Sequence, residues 1–312
     1  MQTLERKPPK QKSELLKRLA EHWELYLFML PAFVAILIFA YFPMYGITMA
    51  FKDVPLGKTV SEGAWVGLKH FRRLFGAVSF SKIIRNTVVV SLVSSFFSIP
   101  FPIFLGIMLH NCTHTGLKKI SQTATYIPHL VSTVIVVSIL NLFCNGSTGL
   151  INIVRANMGF AKISFFGKNV WFVPLYVISG LWQSVGYGAV TYLAALASVD
   201  GELVDASRID GANKLQKIWY IDLPTIKPTI MTLLILNIGH VFGASTDKVL
   251  LMQTPLNLEA SEVIGTYVYK CGIESAQYSF STAVGLFNNL VNFIVLVIAN
   301  FLSKKLTSTY LF

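Results

Sequence analysis

The chain has 312 residues, 54% of them hydrophobic and only 13% charged, with a formal net charge of +11. A soluble core with a solvated shell carries about 25% charged residues, so this composition excludes one and points to a bilayer. The basic surplus requires no nucleic acid, because Lys and Arg at a membrane surface meet anionic headgroups.

In chain order, residues 1–24 read as a cytoplasmic segment. They are too long and too charged for a cleaved signal peptide, and the spacing Leu15, Leu16, Leu19, Trp23 predicts an amphipathic helix on the inner surface. Stretches free of Asp, Glu, Lys and Arg then run from Tyr26 to Phe51, Asn86 to Leu109, Ile120 to Phe143, Asn169 to Val199, Pro228 to Thr246 and Ser275 to Ser303. Each holds roughly the 20 residues needed to cross a hydrocarbon layer of about 30 Å. Six spans are therefore expected within residues 25–305, with 306–312 as a short cytoplasmic tail. Lys and Arg number 14 on the N-terminal side of these spans and 12 on the other, Lys248 and Lys270 included. That bias is weak; the basic N-terminus decides, and both ends are placed in the cytoplasm.

Between the first two spans, Trp65 to Phe75 alternates apolar and basic residues at helical spacing and is expected along the outer surface. The segment from Cys144 to Lys168, rich in Gly and Asn, is expected to loop. That from Ala244 to Tyr278 is expected to be partly ordered, where a partner can touch it. Pro31, Pro43, Pro100, Pro102, Pro128 and Pro174 interrupt spans or their ends and predict kinks. Cys112, Cys144 and Cys271 show neither metal spacing nor a disulfide framework and read as structural.

The loop from residue 200 to 224 has built-in order. Asp200 can cap a short helix through Leu203 and Ala206, Gly211 can take a left-handed stop, Asp222 can cap again, and Pro224 falls in the next first turn. Two compact helices joined at the glycine would form a protruding knob, although an ordinary helical hairpin loop carries the same signals. The spans hold no carboxylate or cation to bind a coupling ion, and His129 and His240 are the titratable groups near membrane depth. Nor is there a phosphate-cradling Gly-x-x-x-x-Gly-Lys-Ser/Thr loop, so driving energy must come from a separate subunit. No constellation of His, Asp, Glu or Cys at one depth supports catalysis or a metal site.

The order Asp205-Ala206-Ser207, then Gly211, then Ile221-x-Leu223-Pro224 resembles the Glu-Ala-Ala loop of permease subunits in type I ABC importers. Asp205 stands for the usual Glu and Ser207 for the second Ala. Phe42-Pro43-Met44-Tyr45-Gly46, Val66-Gly67-Leu68-Lys69-His70-Phe71, Tyr126-Ile127-Pro128-His129, Tyr192-Leu193-Ala194-Ala195-Leu196 and Thr266-Tyr267-Val268-Tyr269 look like the branch importing oligosaccharides released from complex polysaccharides. The resemblance runs from Tyr26 to Lys305. It implies an all-α membrane protein of six transmembrane helices with a cytoplasmic coupling helix between spans four and five. Asp205, Ala206, Ser207, Arg208, Gly211, Leu223 and Pro224 would couple to the ATPase. Arg208 and Asp210 are placed to pair with its surface, or form a solvated face. It further implies a bacterial plasma-membrane location, a second and related permease chain, two ATPase subunits binding ATP and Mg, and an external solute-binding protein. This chain would hold no cofactor and catalyse no reaction itself.

Gly180, Gln183, Ser184 and Tyr187 recur at i, i+3, i+4 and i+7, giving one face of the fourth span a gap, an amide, a hydroxyl and a phenol. Amides and hydroxyls match sugar hydroxyls, rings match flat sugar faces, and similar permeases place substrate contacts here. Such groups also bond between helices at about 0.6 to 2 kcal/mol each; Gln183 and Tyr187 are assigned to the pathway. Asn237, His240 and Val241 share a face of the fifth span, Asn237 standing equally for either role, and Asn288, Asn289 and Asn292 read as helix packing. The outer loops hold 12 Lys and Arg against 6 acidic residues, which suits an anionic sugar or an acidic binding protein alike. The alternative function is an ion-coupled secondary sugar carrier.

Overall fold

The computed structural model describes residues 21–238 and 243–307. Most of the expected surface helix, together with His240 and Val241, lies outside these residues.

The first apolar stretch forms α1 (Trp23–Phe51). Its hydrogen-bond register changes to a π-turn at Leu37–Tyr41 and then tightens at Phe42–Phe51, around a Pro43 that has no N–H to offer. Strands β1 (Lys52–Asp53) and β2 (Ala64–Trp65) pair antiparallel and lead into α2 (Lys69–Phe75). The α2 helix, expected along the outer surface, is seated on the protein. His70 and Leu74 are buried, Lys69 meets Asp53 at 2.7 Å, and the Arg73 guanidinium lies 4.2 Å over the Phe280 ring. Lys69, His70 and Arg73 have partners within the chain, which hold the helix against it.

Helix α3 (Phe80–His110) breaks only at Ile99 before Pro100. The expected third span is a bent pair: α4 (Thr115–Leu130) and α5 (Thr133–Cys144) meet at 101°. Pro128 denies a backbone donor, Val131 turns extended, and Ser132 restarts the chain by accepting from the Ile135 N–H. The segment expected to loop contains α6 (Leu150–Asn157). Buried Asn152 ties it down, donating to the carbonyls of Asn145 and Ile163 and accepting from the Ile163 N–H. An amide with both donors and acceptor used orders that run without regular structure.

Helix α7 (Asn169–Leu196) is the axis of the molecule. Its N-terminal half packs Phe172, Leu175 and Val177 among Val90, Val137, Val249 and Met252, while Tyr192 and Leu196 meet Ile107 and Ile226 at the other end. Where α7 crosses α4, a Cβ on Gly186 would run into the Thr125 carbonyl, so only glycine allows this approach. The chain continues through α8 (Gly201–Ile209), α9 (Lys214–Ile238), α10 (Thr246–Met252), α11 (Leu258–Ser261) and α12 (Ile264–Tyr269) to α13 (Tyr278–Thr307). A further cluster of Leu74, Ile83, Ile264, Phe280 and Val284 joins α2, α3, α12 and α13.

Among the described residues, α1, α3, α9 and α13 are long and apolar enough to cross a membrane, and the α4–α5 pair makes a fifth if counted as one span. The 28 residues of α7 reach about 42 Å, but Gly180, Gln183, Ser184, Gly186 and Gly188 dilute its apolar content.

Candidate functional site

A cavity of about 270 Å³ opens against the middle of α7. Gly180, Gln183 and Ser184 line it, as the i, i+3, i+4 spacing requires, together with Tyr176, Ser94 and Ser98 of α3, Thr133 of α5, and Ser245 and Lys248 at α10. Tyr187 does not line it. Its ring stacks on His129 with centroids 4.1 Å apart and planes 5° from parallel. Gln183 donates its amide to the Val131 carbonyl at 2.8 Å, so the two longest side chains of the stripe both hold the α4–α5 break. Ser184 donates to the Gly180 carbonyl, and Asn237 to that of Leu233 on its own helix. Asn237 is not brought to this cavity.

Lys248 is the side chain that sequence reasoning missed; it was counted among the external charges. Only 5% of it is exposed. The ammonium donates to the Tyr176 carbonyl at 3.0 Å and sits 4.8 Å from the Tyr176 ring centroid, while the Tyr176 hydroxyl accepts from the Ser245 N–H. Gly180 makes room: a Cβ there would stand 3.2 Å from Nζ. The gap noted in the stripe is the seat of this ammonium. The α10 helix is not among those long and apolar enough to span a membrane, and burial brings Lys248 down to about 8. The available signal was slight: Lys248 follows Asp247 directly and heads the apolar run Val249-Leu250-Leu251-Met252.

At the C-terminal end of α7 the chain forms an elbow. The Asp200 carboxylate accepts from the Glu202 N–H and starts α8, as expected. Gly211 takes φ +74°, and the Ala212 N–H closes the helix on the Ser207 carbonyl. No residue of α8 is buried; Asp205 and Arg208 pair with each other at 3.0 Å, both exposed. The second element is not a compact helix but the start of long α9. Asp222 does not cap it. Its carboxylate is fully buried, receiving the Lys217 ammonium at 3.0 Å and the Asn111 amide at 2.8 Å, and Lys217 also donates to the Asn111 oxygen. A π-turn at Ile218–Asp222 carries α9 past Pro224, with Leu223 beside it. The pair Lys217 and Asp222, five positions apart, is brought together in that widened turn.

A helical membrane protein with a cavity on its axial helix, bordered by Gln, Ser, Thr and Lys side chains, and an exposed elbow at the end of that helix has the architecture of a transport permease. The chain belongs to the family described as binding-protein-dependent transport system inner membrane component, whose pattern matches residues 98–308. It is 40% identical over 294 residues to the polygalacturonan/rhamnogalacturonan transport system permease protein YteP of Bacillus subtilis (strain 168), covering 94% of this chain and 92% of that relative. Among solved structures it is similar to a chain of a bacterial ABC transporter involved in the import of the acidic polysaccharide alginate, with TM-score 0.87, 35% identity, and coverage of 94% and 99%. A chain of the bacterial alginate ABC transporter in complex with an alginate pentasaccharide-bound periplasmic protein matches equally, TM-score 0.87 at 35% identity, covering 95% and 99%.

Proposed function

We propose that this chain is one of two permease subunits of an ATP-driven importer of polysaccharide-derived oligosaccharides. Six spans, α7 and the α4–α5 pair among them, form half of the translocation pathway, and both termini face the cytoplasm. A related permease completes the pathway, an external binding protein delivers the sugar, and two ATPase subunits bind ATP and Mg. The chain itself performs no hydrolysis.

The observation that carries this reading is the placement of cavity and elbow on one rigid rod. Ser184 and Leu196 are joined by unbroken helix, about 18 Å at 1.5 Å per residue. Motion imposed on α8 is therefore delivered to the cavity wall as rigid-body tilting, the kind of switch that alternating access uses. Exposed Leu203 and Ile209 give α8 an apolar contact for the ATPase, with Asp205, Ala206, Ser207 and Arg208 on the same helix and Gly211 ending it. Leu223 and Pro224 act from the base, where the helix is anchored.

The test is copurification of the tagged chain from native membranes, with mass spectrometry of its partners and bound glycan, followed by uptake in proteoliposomes. An ATPase, a second permease and ATP-dependent oligosaccharide uptake are expected. Uptake persisting without any ATPase would instead establish the ion-coupled carrier.

A further inference from the structure

We propose that Lys248 reads the carboxylate of an anionic oligosaccharide in the α7 cavity, making the uronate class the preferred substrate; this rests on the oligosaccharide-permease reading above. Three observations meet at one place. The first is the absence of a counter-charge. Lys217 meets Asp222 and Lys270 meets Glu262, but among the described residues no carboxylate lies within ion-pair distance of Lys248. A buried cation is costly unless something pairs with it, so an unpaired one points to a partner that arrives from outside the chain.

The second is unused bonding capacity. An ammonium has three donors, and the Tyr176 carbonyl takes one. Ser94 Oγ, on the same cavity, is buried without a hydrogen-bond partner. A buried polar atom without a partner carries a penalty that an incoming ligand removes. The third is room reserved for the charge: Gly180, where a Cβ would crowd Nζ at 3.2 Å. A sugar carboxylate against Nζ, with hydroxyls toward Ser94 and Ser184, answers each of these. A neutral sugar answers only the hydroxyls.

The experiment uses the complete complex in proteoliposomes, with its binding protein saturated by oligouronates from pectin and alginate digests or by their carboxyl-reduced, neutral counterparts. Charge-assisted hydrogen bonds set the scale: Lys248→Met is expected to lower oligouronate uptake roughly 10- to 100-fold while changing uptake of the reduced sugars less than about twofold. Lys248→Arg should retain most oligouronate uptake. Gly180→Ala, which leaves the charge in place but crowds it, should show the same selective loss to a smaller degree. Equal losses for charged and neutral sugars, or equal losses in Lys248→Met and Lys248→Arg, would show a packing role and overturn the inference. Should Lys248→Met fail to assemble, Gly180→Ala decides between the same outcomes. Wild-type complex that takes up none of these sugars would overturn the oligosaccharide reading itself; wild-type uptake with an indifferent Lys248→Met overturns the carboxylate contact alone.

Discussion

The Gln183 amide donates to the Val131 carbonyl at 2.8 Å, bridging the axial helix to the point where α4 and α5 part at 101°. That carbonyl lies where the chain leaves helical geometry, so it has lost its usual intrahelical donor. Replacing Gln183 by Leu leaves the carbonyl without this donor. Its stability cost is expected at about 1 to 3 kcal/mol, measured as a lower thermal midpoint of the purified chain in detergent. An unchanged midpoint would mean that water or lipid replaces the amide there.

Tyr187 and His129 form the second bridge across the same break, stacked at 4.1 Å. Tyr187→Phe keeps the ring and should leave stability near wild type, whereas Tyr187→Ala removes the stack and should lower it by about 0.5 to 1.5 kcal/mol beyond lost burial. Equal midpoints for the two variants would deny the ring a structural part. If Tyr187→Phe folds normally yet slows sugar uptake, the phenol hydroxyl serves the pathway.

Local periodicity made much of this legible in the sequence. Gly180, Gln183 and Ser184 share a face because a helix repeats every 3.6 residues, and the Asp200 cap and Gly211 stop follow from rules confined to a few adjacent residues. Long-range partners were not legible. Asn111 and Asp222 stand 111 positions apart, and nothing near either one announces the other, so Asp222 read as a helix cap. Lys248 read as an external charge because, with Asp247 before it, it lies just past the end of the uncharged stretch that closes at Thr246. Its burial depends on Tyr176 and Gly180, which arrive from another helix. The break at Pro128 was visible as a kink, but its angle is set by what Gln183 and Tyr187 hold.

Asp222 and Lys217 offer a sharper test of the elbow's base. Removing one partner of a buried ion pair strands the other, at about 3 to 5 kcal/mol, whereas replacing both with apolar groups is near neutral. Asp222→Ala is therefore expected to deplete the chain from membranes, and Lys217→Met placed on top of it to restore part of the yield. Quantitative blotting of membrane fractions reads both. A double variant as depleted as the single one would point to the Asn111 contact as the dominant interaction.

The crossing of α7 and α4 predicts an asymmetry between glycines. Gly186→Val forces a side chain into the Thr125 carbonyl and should destabilise the chain by about 1 to 3 kcal/mol through overpacking. Gly116→Ala, with nothing within 4 Å of the added carbon, should be neutral or stabilising by up to about 1 kcal/mol. Thermal midpoints of the two variants, each against wild type, check this ordering.

Gly211 isolates coupling from folding. Its φ of +74° is strained for any side chain, but a Cβ there meets no atom within 4 Å. Substitution therefore acts through the backbone, at roughly 1 to 2 kcal/mol, too little to unfold a helical bundle of this size. What it changes is the direction in which α8 ends, because the left-handed residue is what lets the Ala212 N–H reach the Ser207 carbonyl. Gly211→Leu is expected to reach the membrane and assemble, to leave ATP hydrolysis running, and to lower sugar moved per ATP severalfold. Asn tolerates left-handed geometry better than other side chains, so Gly211→Asn should keep most of the coupling. Parallel measurement of phosphate release and uptake in proteoliposomes separates the two activities. If Gly211→Leu transports as well as wild type, the elbow's shape does not transmit the motion.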